Sequence, residues 1–175
     1  MRKEHVAAGA PRDTPPGFPR GVGGKGEGEP PAGGTRRRSA ERGLYQLLIE
    51  LPRPRRLRIG ALGRCSLPAG YYVYTGPAQG GLAGRVGRHL RGGGKRHWHI
   101  DYLLAAATVR CAITLPGGRV GECAWHARAR TLMADVAGAR EPVRGFGASD
   151  CRCTSHLLYA PRWPLGALLT LLPGG

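Results

Sequence analysis

The sequence predicts a small α+β domain built on a mainly antiparallel sheet. Three observations carry that prediction. Residues 71–76, YYVYTG, alternate with the two-residue period of a strand, Tyr72 and Tyr74 on one face and Tyr71, Val73 and Thr75 on the other. The early strand-like stretches, 43–51, 57–63 and 71–76, lie close together in the chain, which favours antiparallel pairing. About three helical stretches are mixed with the strands rather than alternating with them one for one.

The elements follow in order. Residues 1–40 contain 6 Pro and 9 Gly and no apolar period. Such a segment buries too little surface to offset its ordering entropy, so a disordered, basic, Gly/Pro-rich tail is expected there. It ends in Arg36-Arg37-Arg38, a solvated linker or a clamp for a phosphate backbone. The folded domain is expected over 41–165, with 166–175 as a C-terminal extension. GLYQLLIEL (43–51) has the length and aliphatic content of a strand, and Pro52 and Pro54 stop it. LRIGALG (57–63) reads as a second strand, and Pro68-Ala69-Gly70 turns the chain into 71–76. Gly80-Gly81 opens a helix to about Leu90 with Leu82, Val86 and Leu90 as its apolar stripe, and Gly92-Gly93-Gly94 ends it. WHIDYLLAAA (98–107) reads as a helix or a strand-to-helix junction, and 107–115 as a strand that stops at Pro116-Gly117-Gly118. A helix is expected over 121–136 with Glu122 in its first turn, and a last strand over 156–160.

The bulk numbers narrow the function classes. The longest apolar run, Leu165 to Leu172, is far short of the roughly 20 residues that span a bilayer. The N-terminal MRKEHVAAGAPRD has no apolar core of a secretory signal, so a cytoplasmic protein with no membrane partner is expected. The formal net charge is +16, carried by 24 Arg and 3 Lys. Such a surface favours a polyanion, because each neutralised phosphate releases a counterion. Codon bias in an Ala- and Gly-rich chain is the competing explanation for so much arginine. Five cysteines, an odd number, argue against a disulfide framework. Buried thiols are the first expectation. A structural zinc on Cys151, Cys153 and His156 is the alternative, its fourth ligand drawn from Cys123, His126 or elsewhere.

The stretch 70–90 sets tyrosine hydroxyls beside Arg85, Arg88 and His89, and Arg85 and His89 stand one helical turn apart. A hydrophobic core has no use for that set, whereas a phosphate-handling site does. Gly43-Leu44-Tyr45, then Tyr74-Thr75-Gly76, then Arg85 with His89, then an isolated Glu122, resembles the GIY-YIG nuclease superfamily in order and spacing. HWHIDYLL (97–104) and FGASDCRCTSHLLY (146–159) resemble an uncharacterised branch of it, sometimes joined to DNA glycosylases of the endonuclease III type. The resemblance covers nearly all of 42–160.

The resemblance implies a three-stranded antiparallel sheet flanked by helices, and hydrolysis of DNA phosphodiesters with one divalent metal, Mg2+ or Mn2+. It implies Tyr45 or Tyr74 as the group that takes the proton of the attacking water, and Arg85 as a fork on a non-bridging phosphate oxygen. Glu122 is implied as the metal ligand. His89 is implied as a proton relay or phosphate contact, with His97 or His99 as its substitutes. Arg88, Arg91, Lys95, Arg96, His97 and His99 are the expected nucleic-acid contacts. DNA is the implied partner, and the glycosylase fusions point to a repair protein as another. One site cuts one strand, so double-strand cleavage calls for a dimer or two visits.

Plainer roles stand beside these. Tyr72 is expected in the core, and Tyr45 and Tyr74 suit half-buried sheet positions equally well. Glu122 also suits a first-turn partner of the helix dipole, and Asp101 a helix cap or brace. His126 and His156 suit structural histidines. Two departures touch turnover. Many members carry an asparagine after the metal-binding glutamate and this chain has none, which leaves Ser149 or Asp150 to replace its hydrogen bonds. Pro77 stands where a small hydroxyl residue is common, and proline offers no N–H to a phosphate. A nucleic-acid-binding module that keeps the scaffold without catalysis is therefore the alternative function.

Overall fold

The computed structural model describes residues 41–92, 95–117 and 120–172. The tail expected over 1–40 lies outside the described residues. The elements run β1 (Gly43–Leu51), β2 (Arg55–Arg58), a 3-10 turn (Gly60–Leu62), β3 (Arg64–Leu67), β4 (Gly70–Ala78), α1 (Leu82–Arg91) and α2 (His99–Leu104). Then follow β5 (Thr108–Pro116), α3 (Glu122–Ala137), β6 (Leu157–Ala160) and α4 (Leu165–Leu169).

The fold is α+β with an antiparallel sheet flanked by helices, but that sheet has four strands rather than three, in the order β5-β1-β4-β6. β1 pairs with β4 over their full length, Gly43 opposite Ala78 and Leu51 opposite Gly70. β5 pairs on the other side of β1, and β6 adds a short fourth strand to β4 through Tyr71–Ala160 to Tyr74–Leu157. β2 and β3 form a separate hairpin. The single strand expected over 57–63 is therefore broken, because Gly60 and Gly63 take positive φ and turn the chain back on itself.

Both sheet faces are buried, which the alternation in β1 and β4 requires. Tyr45, Leu47, Ile49, Tyr72 and Tyr74 point to one face, where Leu82 and Val86 of α1 and Ile100 and Leu103 of α2 cover them. Leu44, Leu48 and Val73 point to the other. There α3 lays down Trp125, Ala129 and Met133, one turn apart, and α4 adds Leu168. The core thus runs past residue 165 into the segment expected as an extension. In α1 the inward stripe is Leu82, Val86 and His89; Leu90, expected in that stripe, is 56% exposed. At 3.6 residues per turn the seventh position after Leu82 faces inward more directly than the eighth. Among the described residues no helix is long and apolar enough to cross a membrane.

Candidate functional site

Tyr45 and Tyr74 leave neighbouring strands on the same sheet face, with ring centroids 6.2 Å apart. Gly76 makes that arrangement fit: a Cβ there would come within 2.8 Å of the Tyr45 hydroxyl and 3.0 Å of the Tyr74 ring. Gly147, at φ +70°, does the same on the far side of Tyr74, where a Cβ would meet the ring at 2.9 Å. The two tyrosines and Arg85 share a cleft of about 390 Å³ with Glu122 of α3. Trp98 and His99 from the start of α2 also line it, as do Ser149 and Asp150 from the loop before β6. A second hollow shares Pro77, Glu122 and Asp150 with the first, so the two adjoin around Glu122.

Behind the cleft lies a buried hydrogen-bonded pair. The Tyr45 hydroxyl is 3.0 Å from His89 Nε2. Burial pushes the His89 pKa down to about 4, against the pull of Asp101, so the imidazole is neutral at pH 7 and its tautomer decides which of the two groups donates. Its Nδ1 has no hydrogen-bond partner and stands 4.0 Å from Asp101 Oδ1. Burial also raises the Tyr45 and Tyr74 pKa values, and Arg85 only partly offsets this. Neither phenol is therefore ionised in advance.

Asp101 is a brace. Its carboxylate accepts both Arg88 Nη1 at 2.8 Å and Nη2 at 3.0 Å, and the backbone N–H groups of His97 and Trp98 at 2.8 and 3.0 Å. Burial opposes its ionisation, but these four donors outweigh it and hold its pKa down to about 2. Arg88, expected on nucleic acid, spends its fork here and is not among the cleft-lining residues. His97 and His99 do line the cleft. His99 Nδ1 accepts the Gly147 N–H at 3.1 Å, which puts the ring proton on Nε2, and burial lowers its pKa. Arg91 and Lys95 are exposed outside the cleft, and Arg96 lies over the Tyr102 ring at 5.5 Å.

Trp98 is the residue that the sequence reading passed over. Arg85 sits 4.0 Å from its ring centroid and Arg88 4.6 Å, so the indole is flanked by two guanidinium groups. The signal was present in the run Lys95-Arg96-His97-Trp98-His99, one large aromatic among nitrogen-bearing side chains.

Next to Glu122 is a second cluster. Cys123, Cys151, Cys153 and His156 place one ligand atom each within 4.8 Å of one another, a group that could hold a metal ion. His156 Nε2 is 3.7 Å from Cys123 Sγ and 3.6 Å from Cys151 Sγ. His126, the other candidate fourth member, is engaged elsewhere, by Thr75 Oγ1 at 3.3 Å and Glu141 Oε1 at 3.2 Å. The other nitrogen of His156, Nδ1, lies 2.6 Å from Glu122 Oε1. That approach is short but off the N–H direction, a charge contact rather than an aligned hydrogen bond. Burial opposes protonation of His156, yet Glu122 and then Cys151 and Asp150 raise its pKa above the ordinary value.

An antiparallel α+β domain with a tyrosine- and arginine-lined cleft beside a thiol–imidazole cluster is the class that fold and side chains define. The chain belongs to the family described as Domain of unknown function DUF123, whose model matches residues 44–170, from β1 through α4. No curated protein and no solved structure matches the chain.

Proposed function

We propose that this chain is a metal-dependent endonuclease of the GIY-YIG kind that hydrolyses DNA phosphodiesters, in the repair or processing of DNA at the nucleoid. The observation that carries the reading is convergence. Tyr45 from β1, Tyr74 from β4, Arg85 from α1 and Glu122 from α3 line one cleft, although they are spread over nearly 80 positions. The net charge of +16 supports a polyanionic substrate.

In-line hydrolysis needs a base for the attacking water, charge relief at phosphorus and help for the leaving oxygen. The buried Tyr45 phenol serves the first as a relay. It takes the proton of the water as it passes its own to His89 Nε2, and the Asp101 carboxylate behind favours the imidazolium that results. Arg85, backed by the Trp98 ring, presents a planar fork to a non-bridging oxygen. The oxygen donors at Glu122, Asp150 and Ser149 suit a hard cation, so Glu122 and Asp150 are the residues that would hold Mg2+ or Mn2+. Such an ion supplies charge neutralisation at the phosphate and a more acidic bound water. The thiol-rich cluster suits a softer ion, and zinc is the cation assigned to it as a structural metal.

The test is nicking of supercoiled plasmid with Mg2+, with Mn2+ and with chelator. Metal-dependent nicking supports the reading. The second reading, a binding module without catalysis, is favoured by Pro77 in the cleft wall and by the absence of asparagine. It predicts salt-sensitive DNA binding and no nicking by any metal.

A further inference from the structure

We infer that Cys123, Cys151, Cys153 and His156 form a tetrahedral zinc site that positions Glu122 through the far nitrogen of His156, so that one structural metal sets the geometry of the cleft beside it. The coupling to the cleft rests on the reading of Glu122 as the cleft's cation ligand; the zinc site itself does not.

Geometry supports the ligand set. Zn–S bonds of about 2.3 Å and Zn–N bonds of about 2.0–2.1 Å set tetrahedral S···N separations at about 3.6 Å. The observed separations from His156 Nε2 are 3.7 Å to Cys123 and 3.6 Å to Cys151. Three thiols and one imidazole are a common structural-zinc set, and the site is closed, with no need of a water. Cys123 lies in the first turn of α3, so the helix start fixes the position of one ligand.

Two further observations point to a metal. His156 is fully buried and rigidly held: its N–H donates to the Phe146 carbonyl at 2.7 Å and its own carbonyl accepts the Thr75 N–H at 3.0 Å. Among the described residues its Nε2 has sulfur atoms alone as partners, at 3.6 and 3.7 Å. The irregular segment from Gly145 to Ser155 also has few apolar anchors beyond Phe146 and Ala148. A metal that ties Cys151 and Cys153 to the start of α3 would staple that segment to the sheet. The same segment supplies Gly147, Ser149 and Asp150 to the cleft wall.

The coupling follows from the second shell. A ligating histidine commonly presents its other ring nitrogen to a carboxylate, which fixes tautomer and orientation. Here that carboxylate is Glu122, 2.6 Å away. With Nε2 on zinc, Nδ1 carries the proton beside Oε1, which a small rotation of the carboxylate would align with the N–H, and Oε2 is left for the cleft.

The test uses the full chain, with no DNA in its first arms. Metal is counted after purification without chelator, and Co2+ is titrated into the apoprotein as a spectroscopic probe. One zinc per chain, and thiolate-to-cobalt charge-transfer bands with tetrahedral d–d bands, are expected. Failure of the wild-type chain to take up either metal stoichiometrically overturns the site. Cys123→Ser, at an exposed position, should weaken the charge-transfer band; an unchanged spectrum overturns the four-ligand assignment. These arms hold even where Cys151 or Cys153 variants fail to fold. Glu122→Gln should lower zinc affinity about 10- to 100-fold, the usual cost of losing an outer-shell partner. Wild-type zinc affinity in that variant overturns the coupling. These readouts do not involve cleavage, so they stand apart from the nuclease reading: a zinc-loaded protein that nicks no DNA contradicts that reading alone.

Discussion

The Tyr45 hydroxyl lies 3.0 Å from Nε2 of a buried, neutral His89, and in the proposed mechanism the two act as one unit. Tyr45→Phe keeps the ring and removes the proton path. Loss of a positioned acid–base group costs roughly 100- to 10,000-fold in rate. The expected loss for Tyr45→Phe falls in that range, with DNA affinity little changed. Because the pair works as a unit, Tyr45→Phe combined with His89→Gln should cost about as much as either alone. Single-turnover cleavage of the three variants checks this; additive losses would separate the two residues.

His89 also makes stability depend on pH. Its ordinary pKa is 6.5 and its folded value about 4. Between these values the unfolded chain binds a proton that the folded chain does not, so stability falls with falling pH. The contribution is fully present above pH 6.5 and is lost as pH falls through 4. His126, also pushed to about 4 by burial and then by His156 and Arg130, adds to the same slope. Urea midpoints at pH 7 and pH 5 should therefore differ for the wild type, and differ less for His89→Gln. An equal drop in both proteins would show that His89 is not buried as a neutral ring.

Gly76 is a tight point of the site. Its missing side chain leaves room for the Tyr45 hydroxyl at 2.8 Å from the Cβ position. Gly76→Ala forces the rings apart, and overpacking of this kind costs about 1–3 kcal/mol. A displacement of about 1 Å at a reacting group can cost about 100-fold in rate. Gly76→Ala should therefore lower both the urea midpoint and cleavage, whereas Gly84→Ala, on the outer side of α1 with open space around it, should lower neither.

Under the proposed function Arg85 and Trp98, stacked 4.0 Å apart, divide the work of gripping DNA. Arg85→Ala should weaken binding and reduce the slope of log affinity against log salt by about 1, the signature of one lost phosphate contact. Trp98→Ala removes the indole platform without removing charge. It should cost about 0.5–2 kcal/mol in affinity and leave that slope nearly unchanged. Fluorescence anisotropy at several salt concentrations separates the two; a reduced slope for Trp98→Ala would mean that Arg85 leaves the phosphate when its platform is lost.

Local patterns in the chain revealed much of this, and distant pairings did not. β1 was legible over its whole length because prolines stop it and its residues suit a strand, and β4 through its alternation of tyrosines. The fourth strand joins β4 from more than 80 positions away, so nothing near Leu157 announces where it pairs. The apolar run at 165–172 was read only for its length, and a five-residue helix packed on α3 lay within it. Arg88 looked free to bind phosphate because its partner, Asp101, lies 13 positions on, past the end of its helix. Cys123 and His126 were equal candidates beside Cys151 and Cys153 until the fold gave His126 to Thr75 and Glu141. Motif order brought the cleft residues together on paper, but the neutral His89 needed burial to be seen.

The most direct measurement is plasmid nicking by the wild type, Glu122→Ala and Arg85→Ala, with DNA binding recorded on the same preparations and a branched-oligonucleotide panel alongside. The account predicts Mg2+- or Mn2+-dependent nicking by the wild type, abolished by chelator. It predicts loss of nicking in both variants, with Glu122→Ala still binding DNA. Persistent cutting by Glu122→Ala would contradict the metal assignment. No cutting of any substrate by a wild-type protein that binds DNA would contradict the nuclease itself.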